Sequence, residues 1–231
     1  MRPVPHQDFN KNVFINCPFD SEYASLLKPI LFTIIYFGFT PQIASRTGDS
    51  GEQRITKILS LILKSKYSIH DLSRIRSAKR GELYRLNMPF EFGIDYGCRC
   101  TAKGHLKRKK FLVLGEKPHD YQKALSDLAG IDASSHMKNP KKVVLALRNW
   151  FIESVPSNKA TDSATVIWSK FEDFINDFYA QRKSEGFSKK DLQAMPVSEY
   201  MLFIRAWIDN NNDTLAHNFR RLTTAKPQRR S

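Results

Sequence analysis

Asn12-Val-Phe-Ile-Asn16, followed by Cys17-Pro-Phe-Asp20, is a short run of β formers that stops abruptly at a loop. It reads as a buried first strand ending where the Cys-Pro pair breaks the run. From Ser21 and Glu22 an apolar-periodic segment reaches Tyr36 and predicts a helix, with Pro29 expected to bend or split it and Gly38 to end it. Phe39 to Ala44 predicts a second strand, and Thr47 to Gly51 a polar loop. Glu52 to Lys64 then places Ile55, Ile58, Leu59 and Ile62 on one face of an amphipathic helix. Lys66 to His70 predicts a third strand with Asp71-Leu-Ser73 at its carboxyl end. A basic loop, Arg74 to Arg85, leads into Asn87-Met-Pro-Phe-Glu-Phe-Gly93, an expected helix start in which Pro89 suits the first turn. Lys110 to Gly115 is the fourth strand.

Strands alternating with helices imply a parallel sheet covered on both faces. Right-handed crossovers then gather the loops after Asn16, Ala44, His70 and Leu114 on one edge, where such sheets bind ligands. Beyond Tyr121 the pattern is helical, with predicted helices at Tyr121 to Gly130, Pro140 to Ser154, Ser163 to Lys183 and Ser188 to Asn210. Val155 to Asp162 reads as a linker. The expected organisation is an α/β domain over 11–154, a helical appendage over 163–210 and a basic tail over 211–231.

Composition narrows the class. A 231-residue chain that is 41% hydrophobic has enough apolar material for a real core, which excludes global disorder. The most apolar stretch, Pro29 to Phe39, is too short to span a bilayer, and the polar opening Met1 to Lys11 does not read as a leader. Three cysteines, Cys17, Cys98 and Cys100, argue against a disulfide scaffold and for a reducing, cytoplasmic setting without membrane contact. The net charge of +14 attracts polyanions, and the Lys107–Lys110 run and the Lys226–Arg230 tail make nucleic acid a candidate partner. Solvated helix faces, anionic nucleotides or a docking partner explain the same excess, and no aromatic-and-basic binding module is present.

Glu91 stands out among the carboxylates because Met88, Pro89, Phe90 and Phe92 surround it. Beside a strand-end cleft it would be partly desolvated, which raises a carboxylate pKa, while a helix amino terminus lowers it. Its bland role is to complement the helix dipole in the first turn. Asp71 at a strand end suits a ribose hydroxyl, or alternatively a turn cap. Asp49 to Glu52 enters a helix, but its acidic side chains would oppose an anion, so capping is the expected role. His70, His105, His119 and His136 with Cys98 and Cys100 show no structural-zinc spacing, and no metal is expected. Cys17 reads as a packed small side chain. The dinucleotide glycine fingerprint and the phosphate loop are absent, which argues against ordinary hydride transfer and ATP hydrolysis.

In combination, Asn12 to Asp20, Asp49 to Glu52, Ser65-Lys-Tyr-Ser-Ile-His-Asp-Leu-Ser73 and Asn87 to Gly93 resemble a bacterial TIR-like domain. They also resemble the related nucleoside 2-deoxyribosyltransferases, which share a flavodoxin-like core. The resemblance covers about residues 11–115. It implies a flavodoxin-like three-layer fold and cleavage of an N-glycosidic bond at a ribose, with Glu91 as the catalytic glutamate. NAD is then the expected substrate, no cofactor is needed, and a role in antiviral defence follows from what many TIR domains do. Asp71 and Asn87 would line the ribose pocket, and Phe14, Asn16 and Phe19 would border the base. A deoxyribosyl hydrolase or transferase, and a non-catalytic sensor or adaptor that uses the pocket for a signalling nucleotide or associates with other TIR-like domains as a homo-oligomer, are the competing readings.

Overall fold

The structure is a computed structural model that describes residues 7–44, 53–74, 86–128, 130–155 and 162–224. Five strands form one sheet: β1 (Asn12–Asn16), β2 (Thr40–Ile43), β3 (Tyr67–Asp71), β4 (Lys110–Gly115) and β5 (Ala133–Ser135). The order is β2-β1-β3-β4-β5 and every pairing is parallel. This is the flavodoxin-like order. β1 and β3 are buried at every residue, which is why they read as short continuous runs instead of alternating ones. β5 is a half-buried edge of small polar residues, Ala133-Ser-Ser135, and carries no apolar pattern that would have announced it.

α1 (Ala24–Tyr36) and α4 (Pro140–Ser154) pack together on one face of the sheet, and α2 (Arg54–Lys64) and α3 (Asn87–Thr101) lie on the other. α1 begins later than its apolar period implied, because Asp20 Oδ1 accepts the Tyr23 N–H at 3.1 Å and holds the chain in a turn. Pro29 neither splits nor ends α1; it is buried among Leu26, Ile30 and Phe32, and that packing outweighs the missing donor. The helix closes at Gly38, whose φ of 77° lets its N–H reach Ile35 O and the Phe39 N–H reach Ile34 O. On α2 only Ile58 and Ile62 of the expected apolar face are buried, while Ile55 and Leu59 stay partly exposed.

The stretch 121–130 is not the helix its composition predicted. It forms two short 3₁₀ turns, Asp120–Lys123 and Ser126–Leu128, because buried Tyr121 turns back to donate its hydroxyl to Ile131 O. The expected boundary between the domains also moves. The chain divides at 171/172, inside α5 (Ala164–Ser184). The first turns of α5 belong to the α/β unit: Phe171 meets Phe32 at 5.5 Å, and Lys170 Nζ donates to Tyr36 Oη at 2.6 Å and to Asp162 Oδ2 at 2.8 Å.

The second unit has its own aromatic core of Phe174, Phe178, Tyr200 and Phe203, with Trp207 Nε1 donating to Asp177 at 2.7 Å. The single helix expected over 188–210 is two, α6 (Lys189–Ala194) and α7 (Val197–Thr224), because Pro196 interrupts it. Ser188 and Asp191 start α6 with a reciprocal capping box. α7 runs on to Thr224, so the segment taken as a tail from residue 211 begins as helix. Lys226 to Ser231 lies outside the described residues.

No helix among the described residues is long and apolar enough to cross a membrane. All three cysteines are free.

Candidate active site

In a 2-1-3-4-5 sheet the connection leaving β1 and the one leaving β3 depart to opposite faces. A crevice opens between their carboxyl ends, and ligands bind there. Asn16, Cys17, Asp71 and Leu72 stand at those carboxyl ends, and all four are buried. α3 is drawn to this point by its own backbone: the Asn16 side chain donates to Met88 O at 2.8 Å.

Glu91 follows one turn after Asn87 on the same face of α3. The helix starts at Asn87, so its first turn holds no acidic residue and Glu91 is not the dipole-complementing cap that its sequence position allowed. Its side chain is buried, with the residue 6% exposed, yet among the described residues no hydrogen bond or ion pair holds the carboxylate. Burial pushes its pKa above the ordinary carboxylate range, and the Arg54 guanidinium acts in the opposite direction. Buried Cys17 registers the convergence of acids here: burial, then the charges of Asp71, Glu91 and Asp20, hold its thiol well above the usual range. Cys17 is therefore an inert wall of the site and not a nucleophile.

Asp71 is engaged elsewhere. Its Oδ1 accepts the Ser73 N–H at 2.8 Å, and its Oδ2 accepts the Tyr23 hydroxyl. His136, on the loop after β5, presents Nε2 to the same oxygen at 3.2 Å in a geometry too bent for a hydrogen bond. Because His136 Nδ1 accepts the Lys138 N–H at 3.0 Å, the neutral ring carries its proton on Nε2, facing Asp71. Asp71 is 0% exposed, so it binds the rim of the site together instead of meeting a ribose directly.

Asp95, one turn below Glu91, is equally enclosed. His70 Nε2 lies 3.2 Å from Oδ2 and Lys109 Nζ 3.1 Å from Oδ1. Burial alone would raise the Asp95 carboxyl, but the hydrogen bond from His70 and the Lys109 charge hold it below the usual range. It is thus kept as an anion.

The structure separates the remaining sequence candidates. Asn87 is exposed at the mouth of the crevice, and Phe19, 40% exposed, stands on the loop after β1. Asn16 is buried and serves as the strut to α3. Phe14 is 0% exposed and packs with Ile58, Ile62 and Ala44 beneath α2. Asp49 to Glu52, and the basic loop beyond Arg74, lie outside the described residues.

Sequence reading gave no role in this site to four participants: Arg54, Tyr23, His136 and Lys109. Arg54 donates to Ala44 O at 2.7 Å, which fixes a cation at the end of β2. Arg74 grips Asp20 with both terminal nitrogens and reaches Glu22 at 3.1 Å, tying the loop after β3 to the loop after β1. Only the Asp20 half of that pair carried a sequence signal, in the opening loop.

Fold and site together define a flavodoxin-like α/β chain with a buried carboxylate, Glu91, that has no hydrogen-bond or ion-pair partner among the described residues. No family model, curated protein or solved structure matches the chain.

Proposed function

We propose that the chain is a TIR-like N-glycosidase that cleaves NAD between nicotinamide and ribose, with Glu91 as the catalytic residue. The observation that carries this reading is the isolation of Glu91, a buried carboxylate without a partner among the described residues. A cationic nicotinamide needs no proton to leave. The bond electrons go to the ring, which departs neutral, and positive charge develops on the ribose. An ionised Glu91 stabilises that oxocarbenium-like state, and water then adds at the same carbon and releases one proton. Cleavage of a neutral base instead requires a proton donor. Asp95 is held ionised and does not supply one, and Asp71 is tied to Tyr23 and the Ser73 N–H. Asn87, one turn from Glu91 at the crevice mouth, is placed to bind a ribose hydroxyl.

The test is incubation of concentrated protein with NAD and, separately, with free nucleosides and deoxynucleosides, followed by chromatography. Nicotinamide release is expected. Base release from deoxynucleosides with NAD untouched would transfer the site to deoxyribosyl chemistry, and no turnover of any of them would leave a nucleotide-sensing role.

Arg54 gives a pH prediction. Burial raises the Glu91 carboxyl and Arg54 lowers it, so Arg54→Gln removes the lowering charge and moves the pKa further up. Because the ionised form reacts, the acid limb of the pH–rate profile should shift to higher pH, with slower turnover on that limb. An acid limb that stays in place would mean that Glu91 does not govern it.

A further inference from the structure

Asn87, Glu91 and Asp95 form a stripe at four-residue spacing along α3. Asn87 is exposed, and the other two are buried. Beneath Glu91 a chain of polar side chains crosses the otherwise apolar layer between α3 and the sheet. Lys109 Nζ donates to Ile62 O at 2.7 Å and to Ser65 O, and lies 3.1 Å from Asp95 Oδ1. Asp95 Oδ2 meets His70 Nε2 at 3.2 Å, and His70 Nδ1 meets Asn16 Nδ2 at 3.1 Å. Asn16 Nδ2 also donates to Met88 O at 2.8 Å.

The direction of every link is determined. An ammonium and an amide NH₂ can only donate, so His70 Nδ1 accepts from Asn16 and its Nε2–H donates to Asp95. All four side chains belong to residues that are at most 4% exposed: Asn16, His70, Asp95 and Lys109. A buried ion pair of this kind adds little net stability over an apolar core, so stability alone does not account for it. What the chain fixes is the carbonyl of Met88, three residues ahead of Glu91 in the first turn of α3.

We propose that the Asn16–His70–Asp95–Lys109 chain is the positioning device of the site, clamping the first turn of α3 to the end of β1 and so aiming Glu91 into the crevice. The proposal deepens, and rests on, the reading of Glu91 as the reacting carboxylate. His70 is its central link and acts through Asn16, without touching the substrate.

The pocket around His70 allows a clean test. Phe92, Phe111 and Phe14 surround the imidazole at 4.7, 5.8 and 6.0 Å between ring centroids, so a phenyl ring fits there. His70→Phe keeps the packing and cuts both hydrogen bonds. His70→Gln keeps one acceptor for Asn16 and one donor for Asp95. In the full-length protein, His70→Phe should lower kcat for nicotinamide release about 10²-fold with KM little changed. His70→Gln should recover most of that loss.

The second readout is independent of turnover. The Glu91 carboxyl is titrated by NMR with isotope-labelled glutamate, its signal assigned by its absence in Glu91→Gln. Its midpoint should fall towards the ordinary range in His70→Phe, as the loosened turn admits water, and stay raised in His70→Gln. If His70→Phe does not fold, Asn16→Ala removes the ties to Met88 O and to His70 Nδ1 together and should produce the same two changes. A Glu91 midpoint that moves while wild type releases no nicotinamide upholds the clamp and removes the glycosidase reading. A folded His70→Phe or Asn16→Ala with unchanged midpoint overturns the clamp, as does His70→Gln behaving like His70→Phe in both readouts.

Discussion

Glu91→Gln is expected to lower nicotinamide release on the order of 10³-fold or more while making the protein more resistant to heat at neutral pH. The two effects have one cause. The carboxylate is buried with no partner among the described residues, and burial raises its pKa above 4.5. The folded state therefore prefers the protonated acid. Relative to a neutral side chain, ionised Glu91 costs stability at every pH above its folded pKa. That cost shrinks as pH falls through the raised value and is gone below 4.5, where the acid is protonated in both states. Melting curves of wild type and Glu91→Gln should thus diverge at neutral pH, with the variant higher, and converge near pH 4. Cores do not retain such a group for stability, and strain of this kind is the usual mark of a working site. Equal melting temperatures throughout, with full activity, would show Glu91 to be an ordinary surface acid.

Asp71→Ala should have the opposite profile, a large loss of stability. It would leave the Tyr23 hydroxyl and the Ser73 N–H, the two donors that Asp71 accepts, facing an empty position in a 0%-exposed site. Two stranded donors cost about 2–5 kcal/mol, a fall in Tm on the order of 10 °C for a chain of this size. Asp71→Asn retains an acceptor and should lose only about 1–2 kcal/mol. Differential scanning calorimetry reads both. If Asp71→Ala instead melts like wild type and only KM rises, Asp71 contacts substrate and is not the knot that ties Tyr23 to the carboxyl end of β3.

The contrast between Glu91 and Asp71 shows what the sequence could disclose. Both were visible as acids at the end of an element, each with a functional and a capping role open. The decision between those roles depends on where α3 begins and on which side chains arrive from distant elements. Tyr23 lies 48 positions before Asp71 in the chain, and His136 lies on a loop after a strand that has no apolar signature. The first four strands were legible because each is a short run of β formers bounded by turn residues. β5 was not, since three half-buried small residues carry no period. The helix expected over 121–130 failed for a related reason: its apolar spacing comes from Tyr121 folding back on Ile131, not from a helical face. Phe14 was drawn into the site by its place in the opening strand; it shares a face with Asn16 but lies two residues back from the strand's carboxyl end, packed under Ile58 and Ile62. It took Lys109 and His70, from two other strands' ends, to fix Asp95 as an anion.

These results locate the chemistry in one place, the crevice where β1 and β3 part, and in one group, the Glu91 carboxylate. The most direct measurement is a crystal structure of Glu91→Gln soaked with NAD, since the variant should bind without turning over. The account predicts the nicotinamide riboside end seated above Cys17 and Leu72, its C1′ about 3–3.5 Å from the side chain of residue 91 and a ribose hydroxyl on Asn87. NAD bound away from the carboxyl ends of β1 and β3, or with its ribose remote from residue 91, would contradict it.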